Sequence, residues 1–151
     1  MRISSSAFED GTMIPEQYSK DGGNKRPPLR MEDVPATAKT LAIIVDDPDA
    51  PNGTFTHWLA FNIPPSVREI GENMSSVPME QGRNDYGQSN YGGPKPPSGE
   101  HRYFFKLYAL DDRLTVGRGA SRLDLEEAMI GHVIAEAEYM GRFAAHELAH
   151  N

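Results

Sequence analysis

The sequence predicts a mainly β fold with a C-terminal helix. Turn-forming dipeptides crowd the first 40 residues, apolar or alternating runs follow, and helical spacing comes only near the C-terminus. Strands of this kind with one late helix read as a sandwich or barrel rather than a doubly wound sheet.

Each element has its own signal. Asp10-Gly11, Asp21-Gly22-Gly23-Asn24 and Pro27-Pro28 punctuate the N-terminal part, leaving room for short strands and little for a helix. Leu41-Ala42-Ile43-Ile44-Val45 is apolar at every position, as a central strand covered on both faces must be. It stops at Asp46-Asp47-Pro48-Asp49-Ala50-Pro51, where two prolines remove ladder donors and force an extended or turned path. In the next strand, residues 55–63, alternation puts Phe55, His57, Leu59, Phe61 and Ile63 on one face and turns Trp58 away from it. Pro64-Pro65 ends that strand.

A long loop, Gly82 to Gly99, is rich in glycine and proline, and loops of such length inside a domain are functional or mobile. Residues 101–110 form the next strand, with His101, Tyr103, Phe105, Leu107 and Ala109 on one side. Arg102 and Lys106 take the other side, as solvated residues. The helix is expected from about Asp124, which with Glu127 has capping-box spacing. Leu125, Met129, Val133, Ala137, Met140 and Ala144 continue it as an apolar stripe, with Gly131 and Gly141 weakening it. His132, His146 and His150 read as surface residues of this helical tail.

Composition limits the function. The 151 residues suit one domain, 1–151, with no internal repeat, large enough to bury a core without staples. The chain has no cysteine, which removes disulfides, thiolate zinc sites and cysteine nucleophiles and suits a cytoplasmic location. A net charge of −7 without a Lys/Arg run excludes the usual nucleic-acid footprint. The N-terminus lacks the apolar region of a signal peptide, and no run is long enough to span a bilayer, so no membrane insertion is expected.

The chemistry is expected where polar residues take core-facing positions at strand ends. Asp47 continues the parity of Ile43 and Val45, His57 that of Leu59, and His101 and Tyr103 that of Phe105. Inward polar groups must find one another or a ligand, because an unpaired buried charge is costly. Each also has an ordinary structural reading. A single inward histidine is often a satisfied core residue, and Asp47 and Asp49 can cap the proline turn. Agreement among three segments favours a shared pocket.

The segments Asp46-Asp47-Pro48-Asp49-Ala50-Pro51, Thr56-His57-Trp58, Tyr91-Gly92-Gly93-Pro94 and Pro97-Ser98-Gly99-Glu100-His101-Arg102-Tyr103 resemble the phosphatidylethanolamine-binding protein (Raf kinase inhibitor protein-like) family, in its prokaryotic branch. The resemblance runs from about Ser4 to Arg142. It implies a β-sandwich, a large antiparallel sheet packed on a smaller one with helical C-terminal elements. It also implies a pocket for small anions of phosphate or phospho-headgroup type at Asp47, His57, His101 and Tyr103, rimmed by Asp49, Pro51, Gly93 and Pro94. Lys20, Arg26 and Lys95 depart from the cysteine, serine and cysteine common in related prokaryotic sequences, outside the expected ligand set.

The reading that follows is a binding protein without turnover, cofactor or metal. The imidazoles and the Tyr103 hydroxyl would donate to the anion, Asp47 would fix a tautomer, and the Gly92-Gly93 amides would add donors. The alternatives are a regulator docking on kinases or other protein partners, as eukaryotic relatives do, and a hydrolase or metalloenzyme using the His/Asp cluster. HExxH, GxSxG and the phosphate-binding GxxxxGK[ST] loop are all absent. A homodimer is a further expectation from the resemblance.

Overall fold

The run at 41–45 becomes the centre of the larger of two antiparallel sheets, which explains its lack of alternation. The structure, a computed structural model, describes residues 1–72 and 77–145. Among these residues the strands are β1 (Arg2–Ser4), β2 (Leu29–Glu32), β3 (Thr40–Asp47), β4 (Phe55–Ile63), β5 (Glu69–Ile70), β6 (Glu80–Gln81), β7 (Glu100–Leu110) and β8 (Val133–Ala144), with helix α1 at Arg122–Met129. The sheets run β1–β2–β5 and β6–β4–β3–β7–β8. A mainly β sandwich of a large sheet on a smaller one is therefore what the chain forms.

Both faces of the central strands β3 and β4 are covered. Between the sheets, Ile3, Leu29, Met31 and Ile70 meet Leu41, Ile43, Val45, Trp58, Tyr103, Phe105 and Leu107. On the opposite face, Ala42, Ile44, Leu59 and Phe61 pack against Leu110, Leu114, Leu125 and Met129. Apolar burial on both sides is what holds β3 in the middle.

Strand β4 departs from simple alternation. Val45 lies opposite Trp58, but Asp46 lies opposite Thr56, so His57 is an extra residue against β3. A second shift between Leu41 and Ile43 accommodates Asn62, whose φ is +54°. A bulge puts two successive side chains on one side of a strand. His57 and Trp58 thus both face the inter-sheet core, where the His57 ring lies 5.2 Å from that of Tyr103. Leu59 and Phe61 face the other way. The expected grouping of His57 with Leu59 and Phe61, and the opposition of Trp58, are corrected by that one inserted residue. Trp58 is fully buried packing, with Nε1 donating to Gln81 Oε1 at 2.7 Å.

The C-terminal region corrects a larger expectation. The helix is short and begins earlier: Ser121 is the N-cap, and Asp124 is the reciprocal third residue of the capping box instead of its start. Gly131, at φ +82°, follows the helix end. The chain then runs as β8 along all of β7, from Leu110↔Val133 to Glu100↔Ala144. A four-residue step is also two strand periods, so Met140 and Ala144 share a face in either conformation. Ala135, Ala137, Tyr139 and Phe143 face the sandwich core, which is the period-2 pattern of a strand. Gly141 is needed there because a Cβ would stand 2.4 Å from Ile14 Cγ1 and 2.7 Å from Phe8. That space lets residues 11–14 lie against β8, with Ile14 N donating to Arg142 O and Arg142 N to Thr12 O.

Several charged residues also moved from expectation. Lys106 is not a free solvated lysine: its ammonium reaches the buried Asp46 Oδ2 at 2.9 Å, and Arg122 reaches the same oxygen at 2.8 Å. His132 sits in the turn before β8 and bonds Asp111 Oδ1 at 2.7 Å through Nδ1. His146 and His150 lie outside the described residues. No helix among the described residues is long and apolar enough to cross a membrane.

Candidate functional site

Antiparallel order brings the C-terminal end of β3 to the N-terminal ends of β4 and β7, which flank it. Asp47, His57, His101 and Tyr103 therefore meet at one edge of the inter-sheet core. They line a cavity of about 410 Å³, with Pro51 from the β3–β4 connection, Phe55 from the start of β4, and Asp85, Tyr86 and Lys95 from the long loop.

Asp47 performs two tasks. Its Oδ2 lies 2.6 Å from His101 Nδ1, and its Oδ1 accepts the Asp49 backbone N–H at 2.8 Å. One oxygen thus caps the turn and the other meets the His101 ring. A carboxylate on Nδ1 assigns that nitrogen the proton and leaves Nε2 as the second ring position of His101. His57 uses the same device with a carbonyl, Nδ1–H donating to Gly92 O at 2.8 Å. Its ring is boxed by Phe55 at 4.7 Å, Tyr103 at 5.2 Å and Tyr86 at 5.6 Å. Burial among these rings lowers the His57 pKa below the usual imidazole value, so the ring is neutral near neutral pH.

Tyr103 is the unsatisfied member. Its hydroxyl is buried and makes no well-formed hydrogen bond, although Asp47 is near enough to act on it. Burial first, and then the charge of Asp47, push its pKa up, so the phenol stays an O–H donor at any physiological pH. A buried donor left unpaired costs about 1–3 kcal/mol, which is the usual mark of a position completed by something else.

Three expected rim residues lie outside this cavity. Asp49 is held by Arg102, whose Nε and Nη2 reach its two oxygens at 2.9 and 2.8 Å. That guanidinium lowers the Asp49 carboxyl to about 2. Gly93 and Pro94 fasten the loop instead: Gly93 N donates to Asn24 Oδ1 at 2.7 Å, and Pro94 O accepts from Lys20 N at 2.9 Å. The Gly92 amide is likewise committed, to His57 O at 3.0 Å. The expected Gly92-Gly93 donors are therefore occupied. Lys95, expected outside the ligand set, is in the cavity lining. Lys20 rests over the Tyr86 ring at 4.6 Å, and Arg26 over the Trp58 ring at 5.3 Å.

The sequence reading also missed the loop's own staple. Asn84 Oδ1 accepts from Tyr86 N and Gln88 N, while Nδ2 donates to Asn90 O and His57 O. Asp85 Oδ2 caps Thr56 N at 2.7 Å beside the bulge. Asn84-Asp85-Tyr86-Gly87 is a turn signature, the signal by which these residues could have been found. Among the described residues, no three histidine or acidic side chains group closely enough to hold a metal ion.

The comparisons agree with this architecture. The sequence profile described as phosphatidylethanolamine-binding protein matches residues 4–144. A UPF0098 protein of Methanothermobacter thermautotrophicus is 49% identical over 148 residues, covering 95% of this chain and 98% of that one. Another from Pyrococcus abyssi is 49% identical, covering 92% and 83%. A crystal structure called a phosphatidylethanolamine-binding protein homolog, from Chlamydia trachomatis, superposes with a TM-score of 0.89 at 42% identity, covering 93% and 95%. YbcL of E. coli, called a new member of the mammalian family, gives 0.86 at 28%, covering 95% and 97%. A shared profile over nearly the whole sandwich, with relatives this similar at full length, means that the chain belongs to the phosphatidylethanolamine-binding protein family.

Proposed function

We propose that the cavity binds a small oxyanion of phosphate or phospho-headgroup type, and that the protein acts by binding rather than turnover. The observation that carries this is the unpartnered, buried Tyr103 hydroxyl beside two imidazoles whose Nδ1 positions are already committed. Three potential donors, Tyr103 Oη and the Nε2 positions of His57 and His101, remain for a guest. Among the described residues, no serine, threonine or cysteine nucleophile is bonded to either ring, as nucleophilic catalysis would require.

Binding is coupled to protons in a definite direction. His57 is neutral near neutral pH because burial disfavours its charged form. An anion beside it restores the charged form, so binding takes up a proton and affinity rises as pH falls. Sulfate is the suitable probe because its own charge is constant over this range. Its affinity is expected to rise about tenfold between about pH 8 and about pH 5.5 in calorimetric titration.

Tyr103→Phe separates a binding hydroxyl from a structural one. Removing an orphaned donor is expected to raise stability by about 1 kcal/mol, while phosphate affinity falls roughly tenfold. A hydroxyl needed only for the fold would give lower stability and unchanged affinity, and an affinity for sulfate that ignores pH would contradict the histidine mechanism.

A further inference from the structure

The cavity's fixed charges are unbalanced. Asp47 and Asp85 line it, an imidazole is not a permanent charge, and Lys95 is the only lysine or arginine among its lining residues. A second negative charge brought beside Asp47 and Asp85 needs a permanent positive charge, and Lys95 is the lining residue that carries one.

Its placement suits that task. Lys95 lies between Pro94 and Pro96-Pro97, and fixed proline φ angles limit where its Cα can go. Residues 95–97 form a wall shared with a second cavity of about 330 Å³, on whose side Asp21 and Ser19 lie. There the ammonium meets Asp21 Oδ1 at 3.6 Å, a loose contact in which both side chains are more than half exposed. Exposed pairs of this kind contribute little, so the lysine is free to exchange Asp21 for a guest in the histidine cavity. The other nearby cations are engaged elsewhere: Lys20 on the Tyr86 ring and Arg102 on Asp49.

Resting on the anion-binding reading above, we infer that Lys95 is the specificity-determining residue that makes this cavity select phosphate monoesters in their dianionic form over diesters, which carry a single charge. The second negative charge of a monoester is the one Lys95 neutralises by swinging from Asp21.

The test compares methyl phosphate with dimethyl phosphate by calorimetric titration at about pH 7.5, in the native chain, Lys95→Gln and Lys95→Arg. The native chain is expected to prefer the monoester by roughly tenfold or more, as one extra charge pair at a partly exposed site allows. Lys95→Gln should lose that preference while keeping its affinity for the diester, which shows the cavity intact. Lys95→Arg should retain the preference. A Gln variant as selective as the native chain overturns the role of Lys95 and leaves the anion reading standing. A native chain that binds neither ester overturns both.

Discussion

His101→Ala is expected to weaken phosphate binding by about 100-fold and to destabilise the fold by about 3 kcal/mol. Both effects come from the carboxylate left behind. Asp47 is 3% exposed, and its Oδ2 relies on His101 Nδ1 at 2.6 Å. Without the imidazole, a buried charge faces the cavity alone, repelling the guest and straining the strand end. The loss should therefore show a particular pattern of rescue. Adding Asp47→Ala to His101→Ala should recover much of the stability, by removing the orphaned charge, and little of the binding, since the donor is still missing. Urea unfolding and phosphate titration of the two single variants and the double variant measure both. Equal additive losses in stability would mean that the two side chains do not act as a pair.

Gly93→Ala is the second large effect, and its cause is packing. A Cβ there would stand 2.2 Å from Tyr18 O, 2.7 Å from Ser19 C and 2.8 Å from Lys20 N. These are backbone atoms, fixed by Lys20 N donating to Pro94 O, so neither segment gives way cheaply. About 3 kcal/mol of destabilisation is expected, of the size that overpacking a close contact produces. Thermal unfolding checks it. Wild-type stability in Gly93→Ala would show that the loop is not clamped to the N-terminal turn. Gly93 therefore matters to the cavity indirectly, by holding the loop that carries Tyr86 and Lys95.

The difference between Gly93 as an expected rim residue and Gly93 as a clamp shows what kind of information was legible in the sequence. Asp47, His101 and Tyr103 were readable because they sit on regular strands, where parity transfers directly to a face. His57 reached the right place by a route that alternation does not contain. The inserted residue in β4 rotates it off the face of Leu59 and onto that of Tyr103. A bulge is set by pairing with a neighbour, and a single strand's pattern does not encode its partner's register. The same limit hid β8. Its Ala-Glu-Ala-Glu alternation is plain once β7 lies beside it, yet its four-residue apolar step also satisfies a helix. Loop residues were least legible: Asn84, Tyr86 and Lys95 act through contacts with segments distant in sequence.

Parity supplied the cluster, the resemblance to the family gave it an expected anion-binding role and a rim, and the geometry redistributed those roles. Asp49 became a turn-side partner of Arg102, Gly92 and Gly93 became loop fasteners, and Lys95 entered the cavity. What remains facing the cavity is a small set of groups unmatched by the protein itself, chiefly the Tyr103 hydroxyl.

The most direct measurement is the movement of the histidine ring signals in NMR as phosphate is added at about pH 6, where imidazoles titrate. His57 and His101 line the cavity, whereas His132 lies elsewhere, exposed and paired with Asp111, and so serves as an internal control. Saturable shifts of His57 and His101 with one common affinity, and no matching shift of His132, are the predicted result. Phosphate that leaves the His57 and His101 rings unmoved, or moves all three alike without saturation, would contradict the anion site.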